Sequence, residues 1–179
     1  MTDQDLAQRA MEGERRAFDL LVDRHATACL RYATRMLGSR EDAEEAAQDA
    51  WLRAYRALPV YDLALPFRTW LFAILINRCR TVLSARRNRE RHLASDAHLL
   101  DAAGATAEPH DVGLRIEIDR ALQRLSPELR EAFLLKHVEQ LEYTEMVEVT
   151  GAGMSALKMR VQRACQQLRV ELQEYADDR

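Results

Sequence analysis

Residues 141–169 read LEYTEMVEVTGAGMSALKMRVQRACQQLR, and they constrain the chain more than any other segment. A helical pattern from Tyr143 to Val149 is interrupted by Gly151 and Gly153, and a second one starts at Met154. Two short helices joined by a Gly-containing turn are the sequence form of a helix-turn-helix. At about 100° per residue, Leu157, Val161, Ala164 and Leu168 fall on one stripe of the second helix. Ser155, Lys158, Met159, Gln162 and Arg163 point the other way. Any surface helix carries charges. Here, though, Lys158, Arg160, Arg163 and Arg169 occur between Val149 and Val170 with no acidic residue, in a chain of net charge −3. A basic outer face on the second helix of such a pair is what insertion into the major groove requires. Lys158 and Arg163 suit guanine or a phosphate, and Gln162 suits adenine. Ser155, near the helix N-terminus, suits a phosphate.

The rest of the composition points to helices. With 4 Pro and 6 Gly in 179 residues, and abundant Ala, Leu, Arg and Glu, an all-α protein is expected. The N-terminus has no apolar signal core, and the longest apolar run, Trp70 to Ile76, is far too short to span a membrane, so a cytoplasmic protein is expected. Cys29, Cys79 and Cys165 are scattered, form no CxxC and have no His at ligand spacing, so they read as buried thiols in a reducing compartment. No Gly-rich phosphate loop, metal cluster or nucleophile beside a base is legible; no catalysis, metal or cofactor is expected. Arg supplies 24 of the 26 cations, which suits bidentate contacts to phosphate and base edges. A GC-rich genome produces the same bias.

Charge divides the chain into three. Residues 1–92 carry 16 basic and 13 acidic side chains, residues 93–112 carry only the acids Asp96, Asp101, Glu108 and Asp111, and residues 113–179 carry 10 basic and 12 acidic. The middle piece, with Gly104, Pro109 and no helical period, reads as a flexible acidic linker between two small helical domains. In the first domain, helices are predicted over 3–12, 15–37, about 41–58 and about 67–91. Ser39 and Asp42 form a Ser-x-x-Asp capping signal, and Val60 to Pro66 reads as a loop. The last of these helices is apolar at first and ends in a run of arginines. In the second domain a helix over 113–125 precedes Ser126-Pro127, a strong helix start, and one helix is expected from there to Val138.

Three blocks, in this order, resemble the extracytoplasmic-function (group IV) class of bacterial sigma factors in the sigma-70 family. Asp42-Ala43-Glu44-Glu45 through Gln48-Asp49-Ala50-Trp51-Leu52-Arg53-Ala54-Tyr55 is similar to the family's helix for binding core RNA polymerase. Phe67-Arg68-Thr69-Trp70-Leu71-Phe72-Ala73-Ile74 through Asn77 and the Arg-rich tail is similar to its promoter-melting, −10-reading helix. Leu125 to Phe133 plus the helix-turn-helix is similar to its −35-reading domain. The resemblance implies a region 2 domain over 1–92, a linker over 93–112 and a region 4 domain over 113–179. It implies core-binding residues Glu45, Gln48, Asp49 and Leu52, which share a helix face at i, i+3, i+4 and i+7. It assigns Tyr61, Asp62 and Leu63 to a pocket for an unstacked −10 base, Asn77 to a base edge, and Arg78, Arg80, Arg86 and Arg87 to phosphates. Trp70 reads as core packing in preference to a base-stacking platform. The implied partners are core RNA polymerase, promoter DNA (duplex at −35, single-stranded at −10) and an anti-sigma factor. Two other classes stay open: a helix-turn-helix regulator that acts without replacing sigma, and a sigma-like partner-binding module.

Overall fold

The computed structural model describes residues 1–94 and 110–177. Eight α-helices are described: α1 Asp3–Met11, α2 Arg15–Leu37, α3 Arg40–Ala57, α4 Phe67–Ala94, α5 His110–Arg124, α6 Pro127–Phe133, α7 Tyr143–Thr150 and α8 Met154–Asp177. A 3-10 turn, Leu58–Val60, follows α3, and a π-helical turn, Leu134–Val138, follows α6. No strand occurs among the described residues. The expected linker lies mostly outside them; its edges, 93–94 and 110–112, belong to α4 and α5.

Helix limits follow local chemistry. The Thr2 hydroxyl accepts the Asp5 N–H while the Thr2 N–H donates to the Asp5 carboxylate, a reciprocal cap that starts α1. Gly38 ends α2 in the left-handed region (φ 68°), where a side chain would be strained, and its N–H returns to the Thr34 carbonyl at 2.8 Å. Only half of the Ser39-x-x-Asp42 signal is realised. The Ser39 hydroxyl accepts the Asp42 N–H, but the Asp42 carboxylate turns to Arg86 instead of back to the cap. The predicted loop from Val60 starts with its first residue still in the 3-10 turn, and Pro59 sits within that turn and not beyond a helix end. The single helix expected from Pro127 to Val138 divides, because the Glu139 N–H reaches back five residues to the Leu134 carbonyl and opens a wider turn.

The buried apolar side chains of the two domains join in one continuous core. Five alanines of α3 (Ala43, Ala46, Ala47, Ala50 and Ala54) are buried, and their small side chains let the helix pack closely on α2 and α4. In the C-terminal domain the predicted stripe Leu157, Val161, Ala164 and Leu168 is buried against α6 and α7. Burying a Leu side chain is worth about 1.5–3 kcal/mol, so this stripe fixes the roll of α8 and turns its other face outward.

The two domains pack against each other, a state on which the sequence was silent. Glu139, 1% exposed, receives Arg31 Nη2 and Arg68 Nη2, each 2.9 Å from its carboxylate. Arg80 donates to both carboxylate oxygens of buried Glu131, at 2.6 and 2.8 Å, and to the Thr150 carbonyl. Thr69 and Glu145 meet at 3.2 Å. The C-terminal end of α2 is satisfied largely from across the interface. Gln123 Nε2 donates to the Arg35 carbonyl (2.7 Å) and Arg130 Nη1 to the Met36 carbonyl (2.6 Å), while Arg86 takes the Leu37 carbonyl. These are the carbonyls a helix end leaves without internal partners. Arg130 itself is 5% exposed and also donates to the carbonyls of Leu122, Gln123 and Leu125, with no carboxylate among its partners. Burial, helped by the nearby Arg86 charge, pushes its guanidinium down to about 10, so it stays a cation at neutral pH.

Candidate nucleic-acid interface

The helix-turn-helix is built as its glycine pattern predicts. Gly151 takes the left-handed conformation (φ 70°) and its N–H closes α7 on the Val147 carbonyl at 2.9 Å. Thr150 reinforces the turn by accepting the Ala152 N–H. At the other end of α7, Glu142 and Glu145 form a reciprocal cap. On α8, Ser155, Lys158, Met159, Gln162 and Arg163 are all exposed, as expected, on the face opposite the buried stripe. Tyr143, which the helical pattern did not single out, also lies at this edge. Its ring lies between the two lysines of the chain, 5.1 Å from Lys136 Nζ and 5.7 Å from Lys158 Nζ. Stacking a cation on an aromatic face restrains an otherwise mobile side chain and holds its charge at the rim of the helix.

The predicted −10 residues do not all face solvent. Asp62 is exposed and caps the loop by accepting the Ala64 N–H. Leu63 is half-buried against the core. Tyr61 corrects the sequence expectation. It is 4% exposed, its ring packs between Phe67 and Trp70, and its hydroxyl donates to the Leu65 carbonyl. It therefore shapes the 60–66 loop from within. The residue the loop presents instead is Val60, 85% exposed, which the pattern of polar and aromatic side chains did not single out. Trp70 stacks on Tyr61 and Phe67 at 4.7 and 5.6 Å between ring centres, in keeping with the packing role expected for it.

Along α4, Asn77 is exposed and lines a groove of about 290 Å3 with Arg53, Ile74 and Thr81. The arginines after it are engaged. Arg78 pairs with Glu45 (3.2 Å) and lies 2.9 Å from Asp49, off line for a hydrogen bond, so that second contact is an ion pair only. Arg80 is held by Glu131, which raises its pKa further, and Arg86 by Asp42. Arg87 is exposed. Three of the four predicted phosphate ligands thus already hold carboxylates.

On α3, Glu45, Gln48 and Leu52 are exposed, and Asp49 is half-buried between Arg53 and Arg78. Tyr55 continues the strip one turn beyond Leu52; it is exposed and packs edge-on against Phe18 at 5.0 Å. The i+3 spacing from Leu52 was the available signal for it. Of the cysteines, Cys29 and Cys79 are buried as expected, and burial pushes both thiols up to about 12. Cys165 departs from the expectation: it is only half-buried, with its sulfur 3.5 Å from His137 Nε2.

Residues 21–90 match sigma-70 region 2, and residues 115–168 match sigma-70 region 4. The chain is 33% identical over 172 residues to the RNA polymerase sigma-H factor of Pseudomonas aeruginosa, a match covering 90% of this chain and 89% of that protein. It is 35% identical over 172 residues to the RNA polymerase sigma factor CnrH of Cupriavidus metallidurans, covering 90% of each. To the ECF RNA polymerase sigma-E factor of Haemophilus influenzae it is 28% identical over 183 residues, covering 97% of this chain and 96% of that one. Among solved structures, CnrH in complex with the cytosolic domain of CnrY superimposes with a TM-score of 0.73 at 28% identity, over 96% of this chain and 97% of that chain. The chain belongs to the extracytoplasmic-function sigma factors of the sigma-70 family. Such factors are not enzymes. Among the described residues no helix is long and apolar enough to cross a membrane.

Proposed function

We propose that this chain directs RNA polymerase to its promoters by dividing the work between its two domains. The α8 face of Ser155, Lys158, Met159, Gln162 and Arg163 reads the −35 element as duplex. The 60–66 loop and α4 hold the melted −10 strand, with Asp62, Leu63 and Asn77 toward the bases and Arg78, Arg80, Arg86 and Arg87 toward phosphates. The loop presents Val60 where Tyr61 was expected. The α3 strip of Glu45, Gln48, Asp49 and Leu52, extended by Tyr55, docks on core polymerase. The domain limits follow as 1–92 and 113–179 about the linker. The observation that carries the reading is the outward α8 face: a cationic, amide-bearing surface with no acid, held rigid by its buried stripe.

Control by an anti-sigma factor in the cytoplasm completes the proposal. It rests on the likeness to CnrH, whose structure was solved with the cytosolic domain of CnrY. The test is a gel shift on promoter DNA with and without core polymerase, using the wild type and Leu52→Asp. The wild type is expected to give a specific shift only with core, and the variant to lose it. A specific shift by the protein alone on a palindromic site would overturn the reading in favour of an ordinary dimeric regulator.

A further inference from the structure

Four cations of α8 stand out in the sequence, and they do not all point the same way. Lys158 and Arg163 are exposed on the outward face, and Arg169 is exposed further along the helix. Arg160 differs. At about 100° per residue it lies roughly 60° from Leu157, at the border of the buried stripe. It is half-buried and lines a cleft of about 500 Å3. Another wall of the cleft is α4, where Arg80, Ser84 and Arg87 recur at i, i+4 and i+7 and so share one helix face. The start of α6 and the turn of the helix-turn-helix complete it.

The charges lining this cleft are unevenly matched. Arg80 is spent on Glu131, whose two oxygens it takes at 2.6 and 2.8 Å. Arg87 and Arg160 hold no carboxylate among the described residues. Two guanidiniums on the walls of one cleft repel each other, and an anion between them relieves the repulsion. A phosphate fits the guanidinium fork, which binds it through two parallel hydrogen bonds. The lining acids are Glu131 and Glu128, so three cations face two anions and the net charge is a single positive one. That balance suits one phosphate group better than a chain of them. The volume lies within the roughly 300–1,000 Å3 of small-molecule sites, and inorganic phosphate alone would leave most of it to water. Met36, Leu83 and Pro127 supply apolar lining for a larger body. Glu128, exposed and without a cation partner among the described residues, is an acceptor for the amino group of a nucleobase.

We propose that this cleft is a binding site for a nucleoside monophosphate. Arg87 and Arg160 hold the phosphate, with the Ser84 hydroxyl beside them. Met36, Leu83 and Pro127 pack against the base, and Glu128 accepts its amino group. The site needs no promoter-reading role of α4, and Arg160 belongs to neither reading surface.

The test uses the full chain and AMP carrying a methylanthraniloyl fluorophore on its ribose, with binding followed by fluorescence anisotropy. Unlabelled AMP, GMP, CMP, adenosine, inorganic phosphate and a dT12 oligonucleotide serve as competitors. Saturable binding is expected, displaced by AMP at lower concentration than by adenosine or phosphate alone. Arg160→Gln and Arg87→Gln should each weaken it by about tenfold or more, as loss of a charged hydrogen-bond donor does. Arg87 is exposed, so its variant probes the site without disturbing the core, and circular dichroism checks that both variants keep their helix content. Arg169→Gln removes the same charge from the same helix outside the cleft and should leave binding unchanged. Absence of saturable binding by AMP, GMP and CMP at millimolar concentration overturns the site. An equal loss in Arg169→Gln reduces the effect to general surface charge and overturns it too. If dT12 displaces the probe as well as AMP does, and Arg160→Gln weakens dT12 equally, the cleft is a groove for a DNA strand and the small-molecule assignment falls.

Discussion

Arg130→Met is the substitution that the interface makes most consequential. The side chain is 5% exposed and donates to the carbonyls of Met36, Leu122, Gln123 and Leu125 and to Gln123 Oε1. Methionine matches much of its length and fills the space but offers no donor. Hydrogen bonds from a charged donor are worth about 1.5–3 kcal/mol each, and a buried acceptor left unpaired costs about 1–3 kcal/mol. Four carbonyls are affected, but two of them lie at the end of α5 and can recruit water once the site loosens. The cost of keeping a guanidinium buried, visible in its lowered pKa, is also relieved. A net loss of about 3–4 kcal/mol is the result. At about 2–4 °C per kcal/mol for a protein of this size, the melting midpoint should fall by roughly 10 °C. The assay is thermal unfolding followed by circular dichroism, with Arg9→Ala as the control. Arg9 makes an exposed pair with Glu14 and an exposed contact with the Met1 sulfur, and the exchange should move the midpoint by little, since solvent screens such surface contacts. An Arg130→Met midpoint within 2 °C of the wild type, measured in the same scan, would refute the view that this one cation ties α2 to the C-terminal domain.

Further outcomes are expected elsewhere. Lys158→Ala and Arg163→Ala should each reduce promoter binding by the holoenzyme by about 1–3 kcal/mol where the contact is to a base edge. Where the contact is to a phosphate, the loss should be uniform across sequences with a shallower salt dependence; titrations at three salt concentrations distinguish the two. In the folded protein a thiol reagent at neutral pH should modify Cys165 alone, because burial pushes Cys29 and Cys79 up to about 12; three modified thiols per native chain would contradict this. Burial raises the Asp3 pKa, but hydrogen bonds and charges from Arg24 and His25 outweigh it, so the net folded-state value lies below 3.8. A carboxylate with a depressed folded pKa contributes stability that is full above its unfolded value and is lost as pH falls through the folded one. The destabilisation caused by Asp3→Asn should therefore be present at pH 6 and shrink below about pH 3.8; a difference that grows on acidification would be the wrong sign.

Much of the architecture was legible because it depends on local chemistry. Ser126-Pro127 announced α6, Gly151 the turn of the helix-turn-helix, and the Leu157–Leu168 stripe the roll of α8. These are short-range steric and periodic effects that a sequence states directly. What stayed hidden depends on residues far apart in the chain. Arg80 and Glu131 are 51 positions apart, Arg31 and Glu139 are 108 apart, and nothing near either pair distinguishes it from an ordinary solvated charge. Tyr61 was misplaced for a related reason. The resemblance assigned it with Asp62 and Leu63 to a pocket for a −10 base, whereas the hydroxyl is consumed by the Leu65 carbonyl and the ring by Phe67 and Trp70. The π-helical turn carries no sequence mark at all, since Leu134 to Val138 reads as a continuous helix.

Run-off transcription on a pool of genomic promoters, using core polymerase with and without this protein, tests the central claim most directly. The account predicts transcripts that start only when the protein is present, with upstream DNA sharing one element near −35 and one near −10. Arg163→Ala should weaken the starts in proportion to their −35 match. Failure of the protein to bind core polymerase, with no new start from any promoter, would contradict it.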